Sequence, residues 1–497
     1  MHHVPSTSST TDVSVLGALR SPRRLKTEVL GGLVVALALI PEAISFSIIA
    51  GVDPRVGLFA SFTMAVTIAI VGGRPAMISA ATGAIALVVA PLSREYGLDY
   101  LVAAVILGGV LQIVLSLLGV AKLMRFVPRS VMVGFVNALA ILIFSAQVPY
   151  LLGVPALVYP MVAVGIAVIV LLPRLTTAVP GPLVAIVLLT AATVVFAWQV
   201  PDVGDQGELP TSLPAFLIPD VPFTTATLTI LAPYAVAIAL VGLLESLMTA
   251  TLVDDITDTR SDKTREGWGQ GVANVVTGFT GGMGGCAMIG QTMINVKVSG
   301  ARTRISTFLA GTFLLILVVG LGDVVAVIPM AALVAVMVMV SVATFDWHSI
   351  RPSTLRRMPR SETAVMLVTV AVTVATHNLA YGVFAGVLTA TVLFARRVAH
   401  LTEVTAQDTT DGTRVYTVTG NLFFASSNDL VHRFDYANDP AEVVIDLSAS
   451  HIWDASTVAA LDAVEAKYAR RGTTVRIVGA NAASAHRHAR LTGTLGG

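Results

Sequence analysis

The sequence predicts a polytopic α-helical membrane protein with fourteen transmembrane segments in a 7+7 inverted repeat, followed by a small cytoplasmic α/β domain. Three observations lead there: an apolar composition, landmarks that recur about every 200 residues along the chain, and a one-sided placement of basic residues. Of 497 residues, 55% are hydrophobic and 12% charged, with a mean hydropathy of +0.82. Soluble domains are far more polar than this.

A membrane-spanning helix needs about 20 apolar residues. Apolar segments fall near 29–49, 57–71, 79–91, 100–119, 130–148, 157–173 and 181–199, then near 231–252, 267–281, 285–296, 305–321, 326–342, 362–378 and 381–395. An odd number per half sets two related halves in opposite orientations. Glu42 and Glu245 lie 203 residues apart, and other landmarks keep nearly that offset. Ile106-Leu107-Gly108-Gly109 echoes Phe308-Leu309-Ala310-Gly311, Val127-Pro128 echoes Ile328-Pro329, and Ala81–Ala84 falls opposite the glycine run 281–285. Chance similarity among Ala/Val/Leu-rich helices is the alternative to a duplication.

Cytoplasmic loops carry an excess of Lys and Arg. With the N-terminus inside, twenty-one basic residues fall on the cytoplasmic side, Arg74, Arg125 and Arg304 among them, against Arg55 and Arg94 outside. The long outside loop from Trp198 to Thr225 holds Asp202, Asp205, Glu208 and Asp220 and no basic residue. Twelve spans remain an alternative if the short segments 79–91 and 285–296 are re-entrant. The first twenty residues are polar and show no apolar core before a cleavage site, so the first helix is expected to insert uncleaved. The expected domains are a cytoplasmic segment 1–28, a transport domain 29–400 with repeats at 29–199 and 231–395, and an α/β domain 401–497.

The net charge of +1 offers no nucleic-acid surface, and the single cysteine, Cys286, excludes an intramolecular disulfide framework. No cofactor or metal is expected. Glu42 and Glu245 sit within segments that otherwise hold almost no charge. Buried carboxylates of this kind line polar pathways or carry a coupling ion, with neutral packing residues as the alternative. Thr249, four residues after Glu245, shares its helical face, and proton binding at Glu245 is the simpler expectation because sodium needs several oxygen ligands. Glu42 follows Pro41, which frees a backbone carbonyl, and Ser45 and Phe46 offer a hydroxyl and an aromatic wall.

The short segments 79–91 and 285–296 read as half-helices beginning in small residues. Two facing helix N-termini form an anion pocket without a buried cation. Candidates are Thr82, Gly83 and Ala84 in the first half, and Cys286, Ala287, Met288, Ile289 and Gln291 in the second. Close helix packing through small residues is the alternative. In the tail, Arg414–Thr419, Val443–Leu447 and Val475–Val478 read as strands and Ser456–Ala469 as a helix. Ser456 is then either a helix-capping serine or a regulatory site for phosphorylation or docking.

Pro41–Phe46 followed by Ala50-Gly51-Val52-Asp53-Pro54 and Gly57-Leu58 resembles the first-helix motif of the SulP sulfate permease family, solute carrier family 26. Gly281–Gln291 with Gly300–Thr303 is similar to its tenth-helix region in a bacterial branch. Gly420–Ala425, Ile445–Leu447 and His451–Asp454 resemble its STAS domain. The resemblance implies a uracil-transporter-like fold in which a core moves against a gate by an elevator-like step, a homodimer, and a bacterial inner membrane with the N-terminus and STAS domain cytoplasmic. It places the anion at Thr82–Ala84 and near Gln291, and sets Glu245 and Thr249 where sodium-coupled bicarbonate relatives carry aspartate and threonine. The glutamate favours protons. Gln291-Thr292 replaces the Ser-Arg of many relatives, so a sulfate or chloride preference does not transfer. Glutamate-bearing bacterial members imply proton-coupled symport of a dicarboxylate such as fumarate or succinate, with sulfate, bicarbonate or chloride transport or exchange as alternatives. An enzymatic rival, a magnesium-dependent intramembrane prenyltransferase, rests on the DDxxD run Asp254–Asp258 and lacks a second aspartate-rich motif. A scaffold or voltage-sensing role without net transport is a third class.

Overall fold

Proline and glycine punctuate the first hairpin. Pro22 opens α1 (Pro22–Ala50), Gly51 ends it in the left-handed region at φ 76°, and Pro54 opens α2 (Pro54–Val71). Each proline occupies a first-turn position where no amide donor is needed, and Gly51 takes the conformation a side chain resists. The computed structural model describes residues 14–123, 127–175, 180–399 and 402–493. Arg125, residues 1–13 of the expected N-terminal segment 1–28, and the expected domain junction at 400 and 401 lie outside them.

The first half continues with β1 (Ser79–Ala80), α3 (Gly83–Tyr96), α4 (Leu98–Leu117), α5 (Arg129–Ser145), α6 (Val158–Leu175) and α7 (Gly181–Val195). The second half holds α8 (Thr225–Thr257), α9 (Lys263–Phe279), β2 (Cys286–Ala287), α10 (Ile289–Met293), α11 (Arg304–Gly320), α12 (Met330–Thr344), α13 (Arg360–Thr376) and α14 (Leu379–Ala399). A π-helical turn, Ile294–Val298, extends α10. All fourteen expected segments are helical in whole or part. Among the described residues, seven helices are long and apolar enough by themselves to cross a membrane, while α7, α11 and α12 are shorter apolar helices. Two expectations are corrected: segments 79–91 and 285–296 start as strands, and α8 runs 33 residues because Thr224 caps it upstream of the apolar stretch, accepting from Thr227 N at 3.2 Å.

Helix contacts obey the repeat. In one group α11 packs on α1 and α2, while α8 and α9 pack on α4; in the other α13 packs on α5, and α12 on α6. Exchanging every helix with the one seven places along maps each of these pairs onto another, as an inverted repeat requires. The first group, α1–α4 with α8–α11, forms a core. The second, α5–α7 with α12–α14, forms a gate.

The echoing glycines are packing positions. A Cβ on Gly109 would stand 2.7 Å from the Gly271 carbonyl oxygen, and one on Gly271 would stand 2.5 Å from that of Gly109, so α4 and α9 touch backbone to backbone. A Cβ on Gly311 would stand 3.0 Å from the Phe62 carbonyl oxygen in the equivalent α11–α2 contact.

One end of the core is tied by charged groups aimed at helix termini. Glu28 accepts from the amides of Arg302 at 2.8 Å, Thr303 at 3.0 Å and Ser306 at 3.2 Å, capping α11 from α1. Arg304 donates to the Ala69 carbonyl at the end of α2 at 3.1 Å, and Glu266 accepts from the amides of Gly73 and Arg74. Anions at helix starts and cations at helix ends are favourable placements. These loops share one face, as the fourteen-segment reading expects.

The α/β unit has a four-stranded sheet in the order β3 (Glu403–Asp408), β4 (Arg414–Leu422), β5 (Glu442–Ile452), β6 (Thr474–Val478). The β3–β4 pair is antiparallel and the others are parallel. Three helices accompany it: α15 (Phe424–Leu430), α16 (Ala455–Ala469) and α17 (Ala482–Leu491). Asp439 accepts from Arg414 at 2.9 Å and from the Tyr416 and Tyr468 hydroxyls. Burial, with that bond to Asp439, drives the Tyr468 pKa well up. Ser456 is not the cap of α16. Asp454 is, accepting from Thr457 N at 3.0 Å, and Ser456 is the second helical residue and exposed.

Gly271→Ala is expected to cost about 1–3 kcal/mol through overpacking and to lower the melting temperature of the detergent-solubilised protein. Gly320→Ala, where a Cβ meets nothing within 4 Å, serves as the control and should leave it unchanged.

Candidate substrate site

The site begins at the crossing of two extended segments. Ser79 pairs with Ala287 and Ala80 with Cys286, antiparallel, in the middle of the core sequence of each half. Backbone groups in hydrocarbon need partners, and this short ladder cannot supply them all. Side chains complete the set: Asn274 accepts from Gly285 N at 2.9 Å and donates to its carbonyl at 3.0 Å. Ser246 accepts from Ala287 N at 3.1 Å, Thr292 from Ile78 N at 3.0 Å and Ser61 from Ala81 N at 3.2 Å. A Cβ at Gly285 would stand 2.0 Å from the Ala80 carbonyl oxygen, so the crossing requires glycine there.

From this crossing the chain enters α3 after Thr82 and α10 after Met288. The first-turn amides of a helix lack intrahelical acceptors. Thr82 Oγ1 accepts from Ile85 N at 3.4 Å, which leaves the Gly83 and Ala84 amides, whereas Met288 makes no side-chain cap and leaves those of Ile289, Gly290 and Gln291. The sequence expectation that both helix starts meet is fulfilled. The α-helical part of α10 is only five residues long, so its dipole is the weaker of the two.

A cavity of ≈ 290 Å³ opens against both starts. The core contributes Glu42, Phe46, Thr82, Gly83, Glu245, Met248, Met288, Ile289 and Gly290, and the gate contributes Phe135, Val136, Leu139, Ile143, Val340, Ala343 and Thr344. Cavity and core–gate boundary therefore coincide. Its lining includes two carboxylates and no basic side chain. Glu245 Oε2 accepts from Cys286 Sγ at 2.9 Å, and Cys286 Sγ lies 3.0 Å from Thr82 Oγ1. Glu42 Oε1 accepts from Gln291 Nε2 at 2.8 Å, while Gln291 Oε1 is buried without a hydrogen-bond partner.

The expected residues divide accordingly. Glu42, Phe46, Thr82, Gly83, Met288, Ile289 and Glu245 line the cavity. Cys286 and Gln291 do not, but hydrogen-bond to the two carboxylates that do. Ala84 and Ala287 are fully buried packing residues, since their side chains point away from the cavity. Thr249 does not reach it either: its hydroxyl donates to the Glu245 carbonyl at 2.8 Å. Likewise Ser45 donates to the Pro41 carbonyl at 2.8 Å and supplies no cavity hydroxyl. The gate residues were missed because apolar positions within apolar helices carry no distinguishing signal. Asp254, head of the DDxxD run, is engaged by Arg74 at 3.0 Å, Lys263 at 2.8 Å and Ser261 at 2.9 Å, an anchoring role rather than a magnesium site.

Residues 25–170 and 157–369 match the sulfate permease family, and residues 405–495 match the STAS domain. The chain belongs to the sulfate permease family. A Bacillus subtilis protein named "Putative sulfate transporter YbaR" is 54% identical over 461 residues, 93% of this chain and 95% of that protein. The bicarbonate transporter BicA of Picosynechococcus is 27% identical over 78% of this chain and 73% of its own. Among solved structures, the murine Solute Carrier 26 family member A9 anion transporter, in its inward-facing state, superposes with a TM-score of 0.80 at 17% identity, covering 98% of this chain and 92% of that one. The BicA transmembrane domain superposes at 0.65 with 24% identity, covering 73% and 97%. This sulfate permease family member is thus a multi-pass membrane anion transporter with a STAS domain, not an enzyme.

A Cβ at Gly83 would stand 2.9 Å from Phe46 and 3.0 Å from Ile143, inside the cavity. Gly83→Val is expected to abolish anion binding in a thermal-shift titration while keeping the ligand-free melting temperature. Ala84→Leu, into packed core, should instead lower that temperature.

Proposed function

We propose that the chain imports a small organic dicarboxylate such as fumarate or succinate together with protons. The observation that carries this reading is a mid-chain cavity with two glutamates, two helix starts and no basic side chain. An anion beside two ionised carboxylates is repelled, and in a low-dielectric site the repulsion is large. Cargo therefore enters with protons on the glutamates, which removes that repulsion, and the Glu42 O–H and the amides at Gly83–Ala84 and Ile289–Gln291 donate hydrogen bonds to it. Apolar walls from Phe46, Phe135, Leu139 and Ile143 suit a cargo with an apolar middle better than a compact inorganic oxyanion. Thr249 does not line the cavity, and the few side-chain oxygens that do favour a proton over sodium as the coupling ion.

In this reading Glu42, Thr82, Gly83, Met288 and Ile289 contact the cargo, Gln291 orients Glu42, and Glu245 carries the coupling proton. The core then moves against the gate in an elevator-like step. The transporter is a homodimer in a bacterial inner membrane, with residues 1–28 and a STAS domain spanning 401–497 in the cytoplasm. Exposed Ser456 near the start of α16 is a candidate regulatory position, because a phosphate there meets a helix N-terminus. The names of its relatives favour a second reading, sulfate or bicarbonate as cargo through the same site.

In reconstituted vesicles, an inward proton gradient should drive fumarate uptake, and Glu245→Gln should lower that driven uptake at least about tenfold, the worth of one charge-assisted hydrogen bond. Undiminished driven uptake by the variant would remove the coupling. Uptake of sulfate or bicarbonate in place of fumarate or succinate would install the second reading.

A further inference from the structure

The cavity's two chemical functions sit on different elements, and one buried thiol joins them. Thr82 caps α3 at the anion side, Glu245 lies on α8, and Cys286 on β2 touches both, at 3.0 Å and 2.9 Å. All three side chains are buried, and Thr82 and Glu245 face the cavity while Cys286 does not. The thiol has one hydrogen to give and one weak acceptor site to offer. It therefore cannot donate in both directions at once.

We propose that Thr82, Cys286 and Glu245 form a hydrogen-bond relay whose direction reports the protonation of Glu245 and sets whether Thr82 offers a donor to the anion. This rests on the proton-coupled reading above. With Glu245 ionised, Cys286 S–H donates to Oε2, the sulfur is free to accept, and the Thr82 hydroxyl turns to it and away from the cavity. When a proton arrives on Glu245 Oε2, that O–H donates to sulfur and S–H turns to Thr82 Oγ1. Thr82, now accepting from sulfur and from the Ile85 amide, has its only hydrogen left to point into the cavity. Rotation about three single bonds suffices; apart from the incoming proton, no covalent bond forms or breaks.

The surroundings leave Glu245 as the controlling group. Among the described residues packed against α8, α4 carries the ionisable Asp99 and Tyr100 in its first turn, Asp99 accepting from Asp220 N, and α9 carries Lys263, Arg265 and Glu266, engaged with Asp254, the Val71 carbonyl and the Gly73–Arg74 amides. The charged residues of α3, Arg94 and Glu95, lie in its last turn beyond the cavity, with Tyr96 after them. Gate residues facing the cavity are all uncharged. Only Glu42 shares the cavity, and Gln291 holds it on the α10 side.

Because the chain has a single cysteine, its infrared S–H stretching band belongs to Cys286 alone and reads the relay without cargo. In the reconstituted full-length protein, the band is expected at lower frequency at alkaline pH, where S–H meets a carboxylate, and at higher frequency at acidic pH. Glu245→Gln should make it independent of pH, and Thr82→Val should move only the acidic-pH band. A band indifferent to pH in the wild type, or to Thr82→Val, would overturn the relay. Fumarate binding supplies the second arm. Thr82→Val should weaken binding about tenfold at acidic pH and leave it alone at alkaline pH. Cys286→Ala should do the reverse, strengthening alkaline binding about tenfold by releasing Thr82, with the double variant behaving as Thr82→Val and Cys286→Ser as wild type. A Cys286→Ala profile identical to wild type would also overturn the relay, whereas driven uptake unaffected by Glu245→Gln would overturn the proton-coupled reading instead.

Discussion

The structure depends on the crossing of Ser79–Ala80 with Cys286–Ala287. A chain that stops being helical inside a membrane exposes amides and carbonyls that water would otherwise satisfy, at several kcal/mol each. Here a two-residue ladder and the side chains of Ser61, Ser246, Asn274 and Thr292 take up that burden. What is left over is the first-turn amides of α3 and α10, which border the cavity. On the proposed reading, the same break that endangers the fold creates the binding site.

Charge balance follows from this arrangement. The cavity has amides and protonatable acids where a soluble anion-binding protein often has arginine, and the proposed coupling of anion to proton rests on that difference. Lysine and arginine are instead placed at the core's edges: Arg304 on the carbonyls ending α2, Arg74 on Asp254, and Arg94 on the Ile49 carbonyl. They engage helix ends and loops, and the cavity lining carries no fixed positive charge.

Much of the fold was legible because membrane helices write themselves in hydropathy and in the side on which basic residues fall. The repeat was legible through Glu42 with Glu245, which line one cavity, and through Gly109 with Gly311, which occupy equivalent helix contacts. Strand character at 79–80 and 286–287 was not, since two-residue ladders exist only through their partner. Glu28 capping α11 likewise depends on a contact 274 residues away. At the site, carboxylates and helix starts could be read from residue type, but the inward-facing half of each element could not: Ala84 and Thr249 were adjacent to true lining residues and point elsewhere. The gate wall, Phe135 to Ile143 and Val340 to Thr344, carried no chemical mark.

The account's central claim is that facing helix starts hold the anion. Solid-state NMR of the reconstituted protein with ¹⁵N-labelled glycine tests it most directly. Adding fumarate at acidic pH should shift the Gly83 and Gly290 amide signals and leave those of the packing pair Gly109 and Gly271 in place. Saturable binding that moves neither Gly83 nor Gly290 would contradict it.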